Sequence, residues 1–299
     1  MFYILVNIFP VIMTFFTGVL LKKLKIVSGK DADTVLKIIF YAGIPALILT
    51  NLPGISADGV LALLPVIAIL TLIGSGLLSF AFSIIFKTEQ KRSATGAVGA
   101  MMMNLGFCLP FVISFYGKEG LAKALIFDAG NAFFVFTVTY FVANFFGTNK
   151  TRQIILLDFL KTPPLIAIIF AVLLNIYNIN LPSPIFNFFE FLSDMVFPMI
   201  MLSIGIKFSP GSNFSFYMLF SVLSRMAGGF LAAYFMLSFI DVDIITRQAV
   251  LMCSAAPVGF NTITFSVIKG LDDDFAASLV SYSAGAGLIV LPLIYYFTG

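Results

Sequence analysis

The chain has 299 residues, 60% of them hydrophobic and 10% charged, with 36 phenylalanines and a net charge of +3. Those proportions exclude a soluble domain and indicate an all-α integral membrane protein, long enough for about ten spans of about 20 residues. The absence of histidine excludes Ser-His and HExxH chemistry, and the two cysteines, Cys108 and Cys253, both lie in apolar runs, which suits packing rather than a disulfide framework or a metal site.

In chain order, spans are predicted near residues 2–21, 33–51, 59–86, 94–115, 121–146, 162–178, 185–206, 214–240, 247–268 and 275–297. Turn or charge signals separate them, among them Pro53-Gly54, residues 147–153 and Pro210-Gly211. Nothing basic precedes the first span and Lys22 and Lys23 follow it, the pattern of a retained span rather than a cleaved signal peptide. Loops on one side hold Lys22, Lys23, Lys25, Lys30, Lys87, Lys91, Arg92, Lys150, Arg152, Lys207 and Lys269, and those on the other hold Lys118, Lys123 and Arg247. By the positive-inside rule this bias places both termini outside a multi-pass protein of the cell membrane.

Two spans carry what a continuous membrane helix avoids. Residues 100–111 (AMMMNLGFCLPF) and 254–269 (SAAPVGFNTITFSVIK) each contain a proline, a Gly-Phe pair and an asparagine. Proline cannot donate to the helix ladder but suits the first turn of a new helix. Each run therefore reads either as a kink or as a break with a second half-helix starting near Pro110 or Pro257. Irregular backbone at membrane depth survives only when buried in protein or lining a wet cavity, and paired breaks in two halves point to a transporter site. The halves also echo one another at an offset of 153: Ile44-Pro45 matches Phe197-Pro198, Gly106-Phe107 matches Gly259-Phe260, and Gly117 matches Gly270. This suggests two five-helix units, residues 1–146 and 154–299, in a 5+5 inverted repeat.

Several motifs resemble those of the auxin efflux carrier family. They are Asn104-Leu105-Gly106-Phe107 before Pro110, Tyr116-Gly117, Leu192-Ser193-Asp194, Gln248-Ala249-Val250, Ala256-Pro257-Val258-Gly259, Phe265-Ser266 and Leu291-Pro292-Leu293-Ile294-Tyr295-Tyr296. Thr262 departs from the family, standing where the plant exporters have a second proline, and the Asn104–Pro110 spacing is one residue shorter. The resemblance implies a ten-helix fold akin to the bile acid:sodium symporters, with spans 4 and 9 broken and crossing. Spans 1, 2, 6 and 7 would form a scaffold, often a homodimer interface, and spans 3–5 and 8–10 a moving transport domain. It also implies small organic anions as substrates, dicarboxylates such as malate and malonate in bacteria and indole acetate in plants.

Candidate substrate contacts are Asn104, Gly106, Pro110, Pro257, Gly259, Asn261 and Thr262. An amide can both donate and accept, so Asn104 and Asn261 could bind a carboxylate without burying a charge, or could simply join helices. Asp128 and Asn131, three apart on one helix face, could hold a coupling proton or sodium ion, or form a structural hydrogen bond. Glu190, Asp194 and Arg225 are intramembrane charges for which an Arg–Asp pair between domains competes with substrate contact. The Phe186, Phe188, Phe189 and Phe191 cluster suits lipid or packing, and residues 272–274 a solvated loop. The reading is a secondary transporter for organic anions working by elevator-type alternating access, with no cofactor and no nucleic-acid partner. A cation/proton antiporter would want a carboxylate at the crossing, and residues 94–115 and 248–268 contain no charged side chain. An aspartyl protease would need a GxGD setting that Asp128 and Asp194 lack, and composition leaves a channel open.

Overall fold

The computed structural model describes residues 2–53, 59, 61–149, 161–211 and 214–298. Gly54, Lys150, Arg152, Gln153 and Gly299, which figure in the expected turns, charge bias and termini, lie outside them. The described residues form helices only: α1 (Phe2–Lys23), α2 (Gly29–Asn51), α3 (Leu61–Ile85), α4 (Gln90–Ala100), α5 (Leu105–Phe146), α6 (Pro163–Ile176), α7 (Ser183–Lys207), α8 (Phe216–Leu237), α9 (Ile244–Ser254), α10 (Asn261–Lys269) and α11 (Asp273–Thr298). Among them α2, α3, α5, α7, α8 and α11 are long and apolar enough to cross a membrane, and α6 and α9 are shorter apolar helices.

Local chemistry sets several boundaries. Helix α2 begins at Gly29, ahead of the expected residue 33, because Asp31 accepts both the Ser28 N–H at 2.8 Å and the Ser28 hydroxyl at 2.7 Å. The two prolines that match between halves each follow a disturbance: a π turn at Ile39–Gly43 precedes Pro45, and a turn at Met195 precedes Pro198. Helix α5 turns a corner at Gly117 (φ 64°, ψ −163°), and α10 ends on Gly270 (φ 68°, ψ 39°). These are the two glycines at positive φ among the described residues, and they are the pair that matched at the repeat offset.

Because lipid gives helices no hydrophobic reason to associate, close packing of small residues matters. Helix α1 lies against the second part of α7 at backbone distance: a Cβ on Gly18 would meet the Leu202 carbonyl, and one on Gly205 the Phe15 carbonyl. Helix α3 turns a hydroxyl stripe toward α4 and α8, with Ser93 donating to Ser83 at 2.6 Å, Ser79 to Ser221 at 3.2 Å and Tyr217 to the Ser93 carbonyl at 3.0 Å. Phe107, Phe111, Phe127, Met252 and Cys253 belong to the buried core around the two interrupted helices. Both cysteines are free and buried, consistent with a packing role.

Four expectations need correction. The half-helices do not restart at Pro110 and Pro257: α5 starts at Leu105 with Pro110 inside it, and α10 starts at Asn261. Asn104 sets the first start, since its side chain caps the helix before the proline is reached. Residues 272–274 are not merely a solvated loop, because Asp272 accepts the Phe275 N–H at 2.9 Å and pairs with Arg92 at 3.0 Å. Lys123 and Lys269, counted as loop charges, are buried; Lys123 lies 3.9 Å from Asp243, and Lys269 donates to Tyr140 and to Asn144. Arg225 does not pair with Asp194, which is exposed, and Glu190 pairs instead with Lys118 at 3.3 Å.

Candidate functional site

Two interruptions, residues 101–104 between α4 and α5 and residues 255–260 between α9 and α10, meet face to face. The Asn104 N–H donates to the Pro257 carbonyl at 2.8 Å, the Gly259 N–H donates to the Met102 carbonyl at 3.0 Å, and Met103 and Val258 form an antiparallel bridge. Neighbouring side chains take other backbone donors: the Met103 N–H donates to Asn131 Oδ1 at 3.2 Å and the Val258 N–H to Ser283 Oγ at 3.1 Å. Unwound backbone at this depth thus finds protein partners in place of water.

Asn104 is the N-cap of α5. Its Oδ1 accepts the Phe107 N–H at 3.1 Å, which fixes the amide and turns Nδ2 the other way. That Nδ2 is buried without a hydrogen-bond partner among the described residues. Beside it lies a cavity of about 280 Å³. Met102, Met103, Asn104 and Gly106 line one side, Gly259, Phe260 and Asn261 a second, Asp128 and Asn131 a third, and Ile39, Ile44, Ile200 and Ile204 of α2 and α7 close it. Asp128 is tied to the first interruption through Asn131, whose Nδ2 donates to Asp128 Oδ1 at 2.8 Å while its Oδ1 holds Met103.

Of the candidate substrate contacts, Asn104, Gly106, Gly259 and Asn261 line this cavity, and Asp128 and Asn131 join them. Pro110, Pro257 and Thr262 are buried away from it; Thr262 donates to Met102 Sδ at 3.5 Å. Arg225 lies behind the interruptions, fully buried, and donates to the carbonyls of Ala100 at 3.1 Å and Ser254 at 2.6 Å. Sequence reasoning missed these partners because backbone carbonyls carry no side-chain signature. The available signal was a lone arginine central in an apolar span. The arrangement offers amide donors, one carboxylate and no cluster of metal ligands among the described residues.

The sequence description of the membrane transport protein family matches residues 3–154 and, separately, residues 148–295. The chain belongs to this family. It is the family that the auxin efflux carrier motifs had indicated, and the transporter family match covers both interruptions. The chain is also 27% identical over 293 residues to an uncharacterized transporter of Methanocaldococcus jannaschii, covering 95% of each chain. An uncharacterized transporter of Methanothermobacter thermautotrophicus is 26% identical over 300 residues, covering 96% of each. The protein is therefore a multi-pass membrane protein of a transporter family, and the cavity lies where its two interruptions meet.

Proposed function

We propose that the protein is a secondary active transporter of small organic anions, carboxylates in particular, which bind in the cavity between the two interruptions. The observation that carries this is the buried, unpartnered Nδ2 of Asn104, a residue that lines the cavity and starts a helix. A buried donor left unpaired costs about 1–3 kcal/mol, which a ligand acceptor would recover. The start of α5, and that of α10 beside Asn261, each add roughly half a positive charge.

In this reading α4 with the first part of α5, and α9 with α10, are the fourth and ninth of ten spans in a 5+5 inverted repeat, and they cross at mid-membrane. Support comes from the family description matching each half, the matched corner glycines, and the matched prolines with their helix disturbances. The cavity lies between these spans and the isoleucines of α2 and α7, the boundary across which an elevator domain would slide on a scaffold. The close α1–α7 contact suits that scaffold and a homodimer through it. Both termini face outside, so a cysteine at Thr88 should be shielded, and one at Lys118 labelled, by an impermeant thiol reagent in intact cells. The reverse pattern would overturn this orientation. Asp128 is the place for a coupling proton or sodium ion.

Uptake of mono- and dicarboxylates into proteoliposomes, with and without a sodium or proton gradient, tests the proposal. Methyl esters of the same compounds should fail to compete; equal competition by ester and acid would sink the carboxylate reading. A second reading, a cation/proton antiporter, draws on Asp128, because the fold brings to the cavity a carboxylate that the interrupted segments lack. Cation-driven proton flux that needs no organic anion and disappears in Asp128→Asn would favour it.

A further inference from the structure

Arg225 belongs to a π turn, Ser224–Gly228, within α8. It has no carboxylate within ion-pair distance among the described residues, although a buried guanidinium ordinarily needs one. Its Nη1 and Nη2 instead bridge two separate backbones, at Ala100 and Ser254. Those residues are the last of α4 and of α9. Helix-terminal carbonyls have no partner within their own helix, and there the negative end of the helix dipole collects. Each end is equivalent to roughly half an elementary charge, so the two together balance about one guanidinium. The fork is given room for this by Gly229, where a Cβ would strike Arg225 Nη2 and the Ser254 carbonyl. None of these atoms lines the cavity.

We propose that Arg225 is the counter-charge that sets the sign of the cavity. By cancelling the negative ends of α4 and α9, it leaves the positive starts of α5 and α10 as the uncompensated helix ends. With Asp128 on the cavity wall neutralised by the coupling proton or sodium ion proposed above, those two starts make the cavity positive; without Arg225 the four ends would cancel one another and Asp128 would make the site one for a cation. Arg225 does not touch the ligand and is a positioning residue. The inference rests on the anion reading above and names the feature that makes that reading electrostatically consistent.

The test is calorimetric binding of malonate, succinate and glutarate, and of their dimethyl esters, to the purified full-length protein, with thermal melting alongside. Wild type should prefer acid to ester. Arg225→Gln and Arg225→Met, both uncharged, should lower the acid-to-ester ratio by about tenfold or more, while Arg225→Lys stays within about threefold of wild type. A merely structural role would lower melting temperatures and weaken acid and ester together. An unchanged ratio in the uncharged variants overturns the proposal while leaving the anion site standing. Failure of both uncharged variants to fold, with Arg225→Lys stable, would assign the charge to folding and overturn it as well. Wild type without an acid preference sinks the anion reading itself, and this inference with it.

Discussion

At residues 101–104 the chain resumes its helix on a residue that caps itself, whereas at residues 255–260 it resumes without a side-chain cap. Asn104 accepts the Phe107 N–H with its side-chain carbonyl and leaves its amide nitrogen buried without a partner among the described residues. The second interruption is steadied from outside, by Ser283 on α11 holding the Val258 N–H, and Phe260 caps nothing with its side chain. Asn261 stands exposed at the cavity and makes no side-chain hydrogen bond among the described residues. In the proposed function, one interruption merges support and recognition in a single amide, and the other assigns them to different residues. Substitutions on the first side should move stability and binding together, and those on the second should separate them.

The strongest test presses both sides at once. A Cβ on Gly287 of α11 would lie 2.6 Å from Pro257 Cγ and 2.8 Å from Phe107 Cε1. Gly287→Val should destabilise the fold by about 1–3 kcal/mol in thermal or denaturant melts, because a packed core absorbs extra methyl groups poorly. Unchanged melting would mean that the interruptions are not rigidly packed.

Asn104→Ala comes next. Loss of the cap should cost about 1 kcal/mol of stability, and loss of the free donor should raise the apparent half-saturation constant roughly tenfold or more. Asn261→Ala should match it in binding but stay within about 0.5 kcal/mol of wild-type stability. Equal stability losses in the two variants would erase the contrast. Smallest is Ser283→Ala, which strands the Val258 N–H and should cost about 1 kcal/mol while leaving the half-saturation constant unchanged. A large binding defect there would show that the second interruption also couples support to recognition.

Much of this architecture is legible in the sequence because apolar runs and their punctuation are properties of composition. The long helices α3, α7, α8 and α11 begin and end within a few residues of expectation, and both interruptions fall in the segments that the Gly-Phe pairs and asparagines marked. Their internal geometry was not legible. Proline advertises its missing N–H, whereas a cap depends on which backbone donor an amide reaches, so Pro110 was favoured over Asn104 as the helix start. Lys123 and Lys269 read as loop charges because a lysine at the end of a span looks the same whether its stem runs to water or to a half-buried tyrosine. Asp128 joined the site through Asn131 and the Met103 backbone, a contact across 28 residues that no local pattern announces.

Arg225 also bears on how such a chain is made. Its two acceptors lie on opposite sides of it in sequence, Ala100 already synthesised and Ser254 still to come. A lone arginine at the bilayer centre costs about 2.5–3.5 kcal/mol on insertion scales. Helix α8 therefore enters the membrane holding half of its compensation, and α9 delivers the other half when it follows. A chain that stops after α8 lacks the Ser254 acceptor, and the complete chain supplies it. The two acceptors of one guanidinium fork thus come from opposite halves of the chain and are brought together only when both segments are in place.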